Sequence, residues 1–189
     1  MTEDKLVLGV AGMPGSGKSL VVELAQKEKG YEAVAMGDVV REETKKRNLQ
    51  PTPENIGRVM LDLRQKDGSA VIAKRCVPKI AGIKGQKVIV DGIRSLDEIE
   101  EFKKHYPIFS LIAIHASPDT RFQRLYHRRR SDDANHWKVF LERDTRELSV
   151  GLGNVISMAE EMVVNEEPFD VVKGRIRRIL EKVENKWRK

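Results

Sequence analysis

Gly12, Gly17, Lys18 and Ser19 stand in the spacing G-x-x-x-x-G-K-[ST], behind the apolar run Leu6 to Ala11 and at the head of a helical pattern. Glycines in such a turn let successive backbone N–H groups face inward around an anion, and the following helix adds its positive end. A lysine there can bridge β- and γ-phosphate oxygens, and a serine hydroxyl can reach Mg²⁺. The loop Gly12-Met13-Pro14-Gly15-Ser16-Gly17-Lys18-Ser19 is therefore a candidate triphosphate cradle, with ATP and Mg²⁺ as the expected cofactors. A second segment, Val88-Ile89-Val90-Asp91-Gly92-Ile93-Arg94, reads as a buried strand that ends in an acid, followed by a glycine turn. Asp91 could hold Mg²⁺ directly or through water, while Arg94 could reach a second phosphate. The third, Met36-Gly37-Asp38-Val39-Val40-Arg41, repeats the order of strand, turn, acid and helix. Arg41 is a candidate clamp for an acceptor phosphate, and Asp38 is the candidate base if the acceptor is a hydroxyl.

These motifs need a frame that brings strand ends together. Short runs rich in β-branched residues alternate with longer amphipathic stretches, which is the pattern of a parallel sheet covered by helices on both faces. The expected strands are Leu6 to Ala11, Ala33 to Met36, Lys87 to Val90, Phe109 to Ile114 and Met162 to Val164. Helices are expected to begin near Lys18, Val39, Pro53, Leu96, Pro118, Asn135 and Phe169. Thr52-Pro53 and Ser117-Pro118 each set a capping hydroxyl before a proline at the first helical position. Two stretches exceed simple crossovers: one from Val39 to Ile83, the other from Arg128 to Asp144. Both follow strand ends, where ligands of open α/β sheets bind.

The 189 residues fit a single domain able to bury a full core. Cys76 is the only cysteine, so a disulfide framework is excluded and the thiol reads as a small apolar residue. The opening Met1-Thr2-Glu3-Asp4-Lys5 is acidic rather than basic, and no apolar run reaches the roughly 18 residues of a membrane span. A cytoplasmic protein without a membrane partner is expected. The net charge of +6 admits a nucleic-acid partner, but the arginines at 121, 124, 128, 129, 130, 143 and 146 offer a more local explanation in triphosphate binding. His105, His115, His127 and His136 show no metal-ligand spacing, and no repeat points to an oligomeric state.

Taken together, the motifs resemble the adenylate-kinase-like branch of P-loop phosphotransferases, which includes nucleoside monophosphate kinases and dephospho-CoA kinases. Gly37, Asp38 and Arg41 match the acceptor-phosphate turn of that branch, and Asp91, Gly92 and Arg94 match its third-strand segment, with Ile93 where proline is usual. Gln123, Arg124, Leu125 and Arg128 are similar to the helix before the lid; the resemblance implies that Arg124 stacks on the donor base and Arg128 touches its phosphates. Arg130, Asp132, Asp133 and Arg143 resemble the lid itself, which implies that Arg130 and Arg143 close over the transferring group. Ala159 to Asn165 is similar to the last strand of dephospho-CoA kinases. The strings "MGDVVREE", "VIVDGIRS" and "RELSVGLGNVI" resemble, more closely still, an archaeal family of adenylate-kinase-related proteins.

The implied fold is a P-loop kinase with a five-stranded parallel sheet flanked by helices. Its core would be residues 1–38, 84–127 and 145–189, its acceptor-binding insertion 39–83 and its lid 128–144. The implied activity is transfer of the γ-phosphoryl group of ATP to a small phosphorylated acceptor, first of all a nucleoside monophosphate. Transfer to a hydroxyl, as in dephospho-CoA, and an ATPase switch acting on RNA or ribosome assembly are the alternatives. Glu98 stands where adenylate kinases commonly place a glutamine that reads the acceptor base; a carboxylate there would suit guanine better than adenine.

Overall fold

The computed structural model describes residues 5–129, 133 and 135–187. Five strands, β1 (Leu6–Ala11), β2 (Glu32–Ala35), β3 (Lys87–Asp91), β4 (Phe109–His115) and β5 (Glu161–Val164), form one sheet in the order β2-β3-β1-β4-β5. Every pairing is parallel, and Val10 of β1 lies in register with Asp91 at the end of β3. The phosphate loop and Asp91 therefore emerge side by side at the carboxyl edge of the central strands. Successive side chains of a strand face opposite sides, so apolar runs with both faces covered feed two cores. Val7, Val88 and Val90 join the core beneath helices of one face, while Leu8, Val10 and Ile89 join the core on the other.

On that second face lie α1 (Lys18–Lys29) and α9 (Phe169–Trp187), the latter burying Val172, Ile176, Ile179, Leu180 and Val183 as its periodicity predicts. The first face carries α2 (Met36–Lys46), α3 (Pro53–Asp67), α4 (Val71–Ala81) and α5 (Leu96–His105). Thr52 accepts from Asn55 N at 3.3 Å, and Ser117 accepts from Thr120 N at 3.5 Å to open α6 (Pro118–Arg128). Two further helices, α7 (Trp137–Val150) and α8 (Leu152–Ser157), precede β5.

Some boundaries differ from the sequence expectation for definable reasons. Met36 belongs to α2 rather than to β2, because Ala35 already sits at the extended cap position and Met36 is buried as the first helical residue. An apolar residue reads alike at the end of a strand and the start of a buried helix. The stretch 39–83 contains an additional helix, α4, with Pro78 inside it, separated from α3 by Gly68 at φ 93°. Likewise α8 is cut from α7 by Gly151 at φ 111°, a left-handed conformation that stops the helix. Helix α7 starts at Trp137, two residues after the expected Asn135.

One buried ion pair ties the sheet to α7. Arg121 in α6 holds Asp144 through two hydrogen bonds of 2.9 and 2.6 Å, and its ring-facing side lies 4.9 Å from the centroid of Phe140. The same guanidinium donates to the carbonyls of Ala116 and Pro14. Removing one member of such a pair leaves an unpaired buried charge, which costs about 3–5 kcal/mol. Arg121→Met should lower the unfolding free energy by about 3 kcal/mol, and adding Asp144→Leu should restore most of the loss. Urea denaturation of both variants checks this.

Candidate functional site

The phosphate loop owes its shape to glycine and its seating to cations behind it. Gly15 (φ 82°) and Gly17 (φ 105°) take left-handed conformations that other residues adopt only with strain. Arg121 donates to Pro14 O at 3.2 Å, Arg124 to Ser16 O at 3.3 Å, and the Asn165 amide to the same Ser16 oxygen at 2.8 Å. All peptides here are trans, so each carbonyl points opposite the next N–H. With the Pro14 and Ser16 oxygens held from behind, the Gly15 and Gly17 amides are turned toward the cleft that both residues line. Asn165 and the seating role of Arg121 were not legible as site residues, because their contacts span 149 and 107 positions of chain.

Three adjoining hollows meet at this loop. The first, of about 610 Å³, is lined by Gly17, Lys18, Ser19, Asp91, Arg124 and Arg128. The central one, of about 650 Å³, shares Lys18, Asp91 and Arg128 with it and adds Arg41, Arg94 and Glu147. The third, of about 480 Å³, continues past Arg41, Arg94 and Arg143 to the apolar Val40, Pro53, Ile56 and Met60. Lys18 Nζ donates to Gly12 O at 2.7 Å and to Met13 O at 3.3 Å. Burial lowers its ammonium from the ordinary 10.5 to about 8 against the opposing pull of Asp91.

Asp91 Oδ1 is buried without a hydrogen-bond partner among the described residues. That orphaned oxygen shares a hollow with the Ser19 hydroxyl and Lys18, a set that suits a cation carried on nucleotide phosphates. Among the described residues no cluster of three or more His, Cys, Asp or Glu forms a dedicated metal cage. Mg²⁺ needs none, since it usually keeps waters and takes one or two protein ligands beside substrate phosphates.

The arginines of the cleft are held by acids. Arg94 Nε donates to Glu147 at 2.6 Å. Burial raises the Glu147 carboxyl, but Arg94, Arg143 and Lys18 outweigh it and hold the group below the usual carboxylate range. Arg41 places Nε and Nη2 on Asp38 Oδ1 at 3.2 and 2.8 Å. Asp38 is half-exposed and lines none of the three hollows, so it stands outside the cleft that Arg41 enters. Arg128 forks onto both oxygens of Asp133, and Arg143 approaches the same carboxylate at 3.7 Å. Arg124 points its in-plane N–H groups at Ser16 O and Asn165 O, which leaves its flat face open to a planar ring. Arg130 and Asp132 lie outside the described residues.

Glu98 does not read a base. It is fully buried in α5, where it accepts from Arg64 at 2.5 Å and from the backbone N–H groups of Arg94 and Ser95 at 2.7 and 3.2 Å. With Ser95 it forms a capping box, so its lone pairs are taken up by the start of the helix and by Arg64. The S-x-x-E pattern from Ser95 to Glu98 carried that reading in the sequence.

Glu147 and Arg146 were not singled out as site residues by the motifs. With Arg143 they occupy positions i, i+3 and i+4 of α7, one face of a helix turned to the cleft. Arg146 lies against Gly57 inside α3; a Cβ on Gly57 would stand 2.6 Å from the guanidinium carbon. Glycine inside a helix is less stable than alanine by about 1 kcal/mol, so the approach of Arg146 carries a standing cost.

A family model described as an AAA domain matches residues 11–139. A UPF0200 protein of Methanocaldococcus jannaschii is 47% identical over 186 residues, covering 97% of this chain and 93% of its own. A UPF0200 protein of Thermococcus onnurineus is 44% identical, covering 94% of this chain and 98% of its own. The chain belongs to the UPF0200 family and carries this AAA domain. Among solved structures, TT1252 from Thermus thermophilus superposes with a TM-score of 0.64 at 15% identity, covering 95% of this chain and 98% of that one. Shikimate kinase from Bacteroides thetaiotaomicron superposes with a TM-score of 0.60 at 14% identity and the same coverages. This UPF0200 chain thus has the fold of a P-loop kinase. Among its described residues no helix is long and apolar enough to cross a membrane.

Lys18 also gives the UPF0200 chain a titration signature. Between about pH 8 and 10.5 the folded chain holds fewer protons at this site than the unfolded chain, so its contribution to stability is unfavourable below that window and recovers as pH rises through it. Lys18→Met should raise the urea midpoint near neutral pH, with the gain shrinking across the window. Urea titrations at several pH values check the sign.

Proposed function

We propose that this protein transfers the γ-phosphoryl group of ATP to a small acceptor that already carries a phosphate, a nucleoside monophosphate before others. The observation that carries this reading is the character of the central hollow. Arg41 and Arg94 both line it, which suits a dianionic phosphate, and of its two carboxylates Glu147 is occupied by Arg94 while Asp91 is the candidate Mg²⁺ ligand. A sugar hydroxyl needs a base at the reacting oxygen, whereas a phosphate oxygen is already anionic. Asp38, the candidate base, is engaged by Arg41 and lies outside the hollow lining. Glu147 is held anionic by three cations, which makes it a weak proton acceptor.

The work of the chain is then positioning and charge neutralisation. The Gly15 and Gly17 amides and Lys18 hold the donor's phosphate oxygens, with Lys18 exchanging its loop carbonyls for them. Arg124 offers its face to the donor base. Ser19 and Asp91 would hold Mg²⁺, which supplies neutralisation of the phosphate charge. Arg94 and Arg41 fix the acceptor, and Glu147 keeps Arg94 aimed while preventing three cations from repelling one another. Arg128 and Arg143, already gathered on Asp133, are available to close over the transferring group and keep water out.

Phosphoryl transfer from ATP to a panel of nucleoside monophosphates and dephospho-CoA tests the acceptor. Lys18→Ala should lower kcat by about 10²-fold or more with the fold intact. Asp38→Asn should change kcat by less than about tenfold, well short of the 10²–10⁴-fold that loss of a general base brings. A steep loss in Asp38→Asn together with phosphorylation of dephospho-CoA would replace this reading with hydroxyl transfer.

A further inference from the structure

We infer that Arg146 selects the acceptor's base, and that the acceptor is a 6-oxopurine nucleotide. The inference rests on the monophosphate-acceptor reading and adds the identity of the base. Arg146 lines the third hollow, on the far side of Arg94 and Arg143 from the phosphate loop. Its Nε is buried and has no hydrogen-bond partner among the described residues. The other cations of this region are engaged: Arg41 with Asp38, Arg64 with Glu98, Arg94 with Glu147 and Arg143 with Asp133. No described carboxylate pairs with Arg146. A buried guanidinium N–H calls for an acceptor, and the hollow is where one can enter.

Gly57 points the same way independently. It sits in the interior of α3, and the guanidinium of Arg146 occupies the space that any Cβ would fill. A residue that weakens its own helix in order to seat a charged group is a local conflict of the kind found at functional sites. Beside Arg146 the hollow is lined by the apolar Val40, Pro53, Ile56 and Met60, which suits the face of a planar ring.

Arginine has donors only, set in a fixed fork. It pairs best with two adjacent acceptors, and O6 with N7 of a 6-oxopurine is such an edge. Adenine sets its amino donor beside N7, so a donor would face the guanidinium. Uracil offers single carbonyls beside N3–H, and cytosine carries an amino group. Both pyrimidines also cover less of the apolar wall.

The test is equilibrium binding of GMP, IMP, AMP, CMP and UMP to the full chain with Mg²⁺ and a non-hydrolysable ATP analogue. GMP and IMP should bind at least about tenfold more tightly than AMP, the discrimination of a bidentate arginine contact. In Arg146→Gln that preference should fall to within about twofold, with affinity for the ATP analogue unchanged. Gly57→Ala provides a second variant in which helix propensity favours folding and the added methyl displaces Arg146; it should show the same loss of preference. Equal affinity for all five monophosphates, or a preference that survives both variants, would overturn the inference and leave the monophosphate reading standing. Binding of the ATP analogue with no monophosphate bound would overturn both. Arg146-dependent binding of a phosphorylated carboxylic acid, probed with 3-phosphoglycerate, in place of any nucleotide would overturn the 6-oxopurine assignment.

Discussion

The phosphate loop can present its amides only because its carbonyls are held from behind. A peptide unit is a rigid plane, so fixing the Pro14 and Ser16 oxygens on Arg121, Arg124 and Asn165 also aims the N–H groups of Gly15 and Gly17. Those three side chains come from α6 and from the residue that follows β5. The loop is therefore a product of the whole carboxyl edge of the sheet rather than of eight residues in sequence. Arg121 extends the constraint to α7 through Asp144, and α7 in turn carries Arg143, Arg146 and Glu147 to the opposite wall.

Charge balance is the second organising force. Arginines gathered in one cleft repel one another, and a cleft that held them bare would oppose folding. Here carboxylates interleave them: Asp38 with Arg41, Glu98 with Arg64, Glu147 with Arg94, Asp133 with Arg128 and Arg143. The pairs hold these side chains in place. Lys18, whose ammonium burial lowers to about 8, shows that desolvation in the cleft is appreciable even with Asp91 nearby. Electrostatic contacts formed in such a place are stronger than the same contacts in water.

The motif-bearing elements were legible because each rests on local signals. The five strands lie where β-branched runs placed them, and the caps at Thr52 and Ser117 form as their residue types imply. Short helices inside long connections were harder. Helix α4 hides behind Pro78, and α8 is separated from α7 only by the left-handed Gly151. Glu98 shows a different limit. Its distance from Arg94 in sequence suggested a base reader, yet helix initiation and Arg64 claim every useful lone pair.

By itself, the order of residues determined the glycine-rich turn ahead of α1, the acid at the end of β3 and the parallel α/β frame, since these depend on neighbours within a turn or a strand. Tertiary structure alone decided which arginine meets which acid, because a guanidinium finds its partner across 23 residues for Arg121 and Asp144, or 53 for Arg94 and Glu147. It also decided that Gly57 makes room for Arg146: nothing in the helix that contains a glycine tells which side chain from another helix will occupy the missing methyl's place.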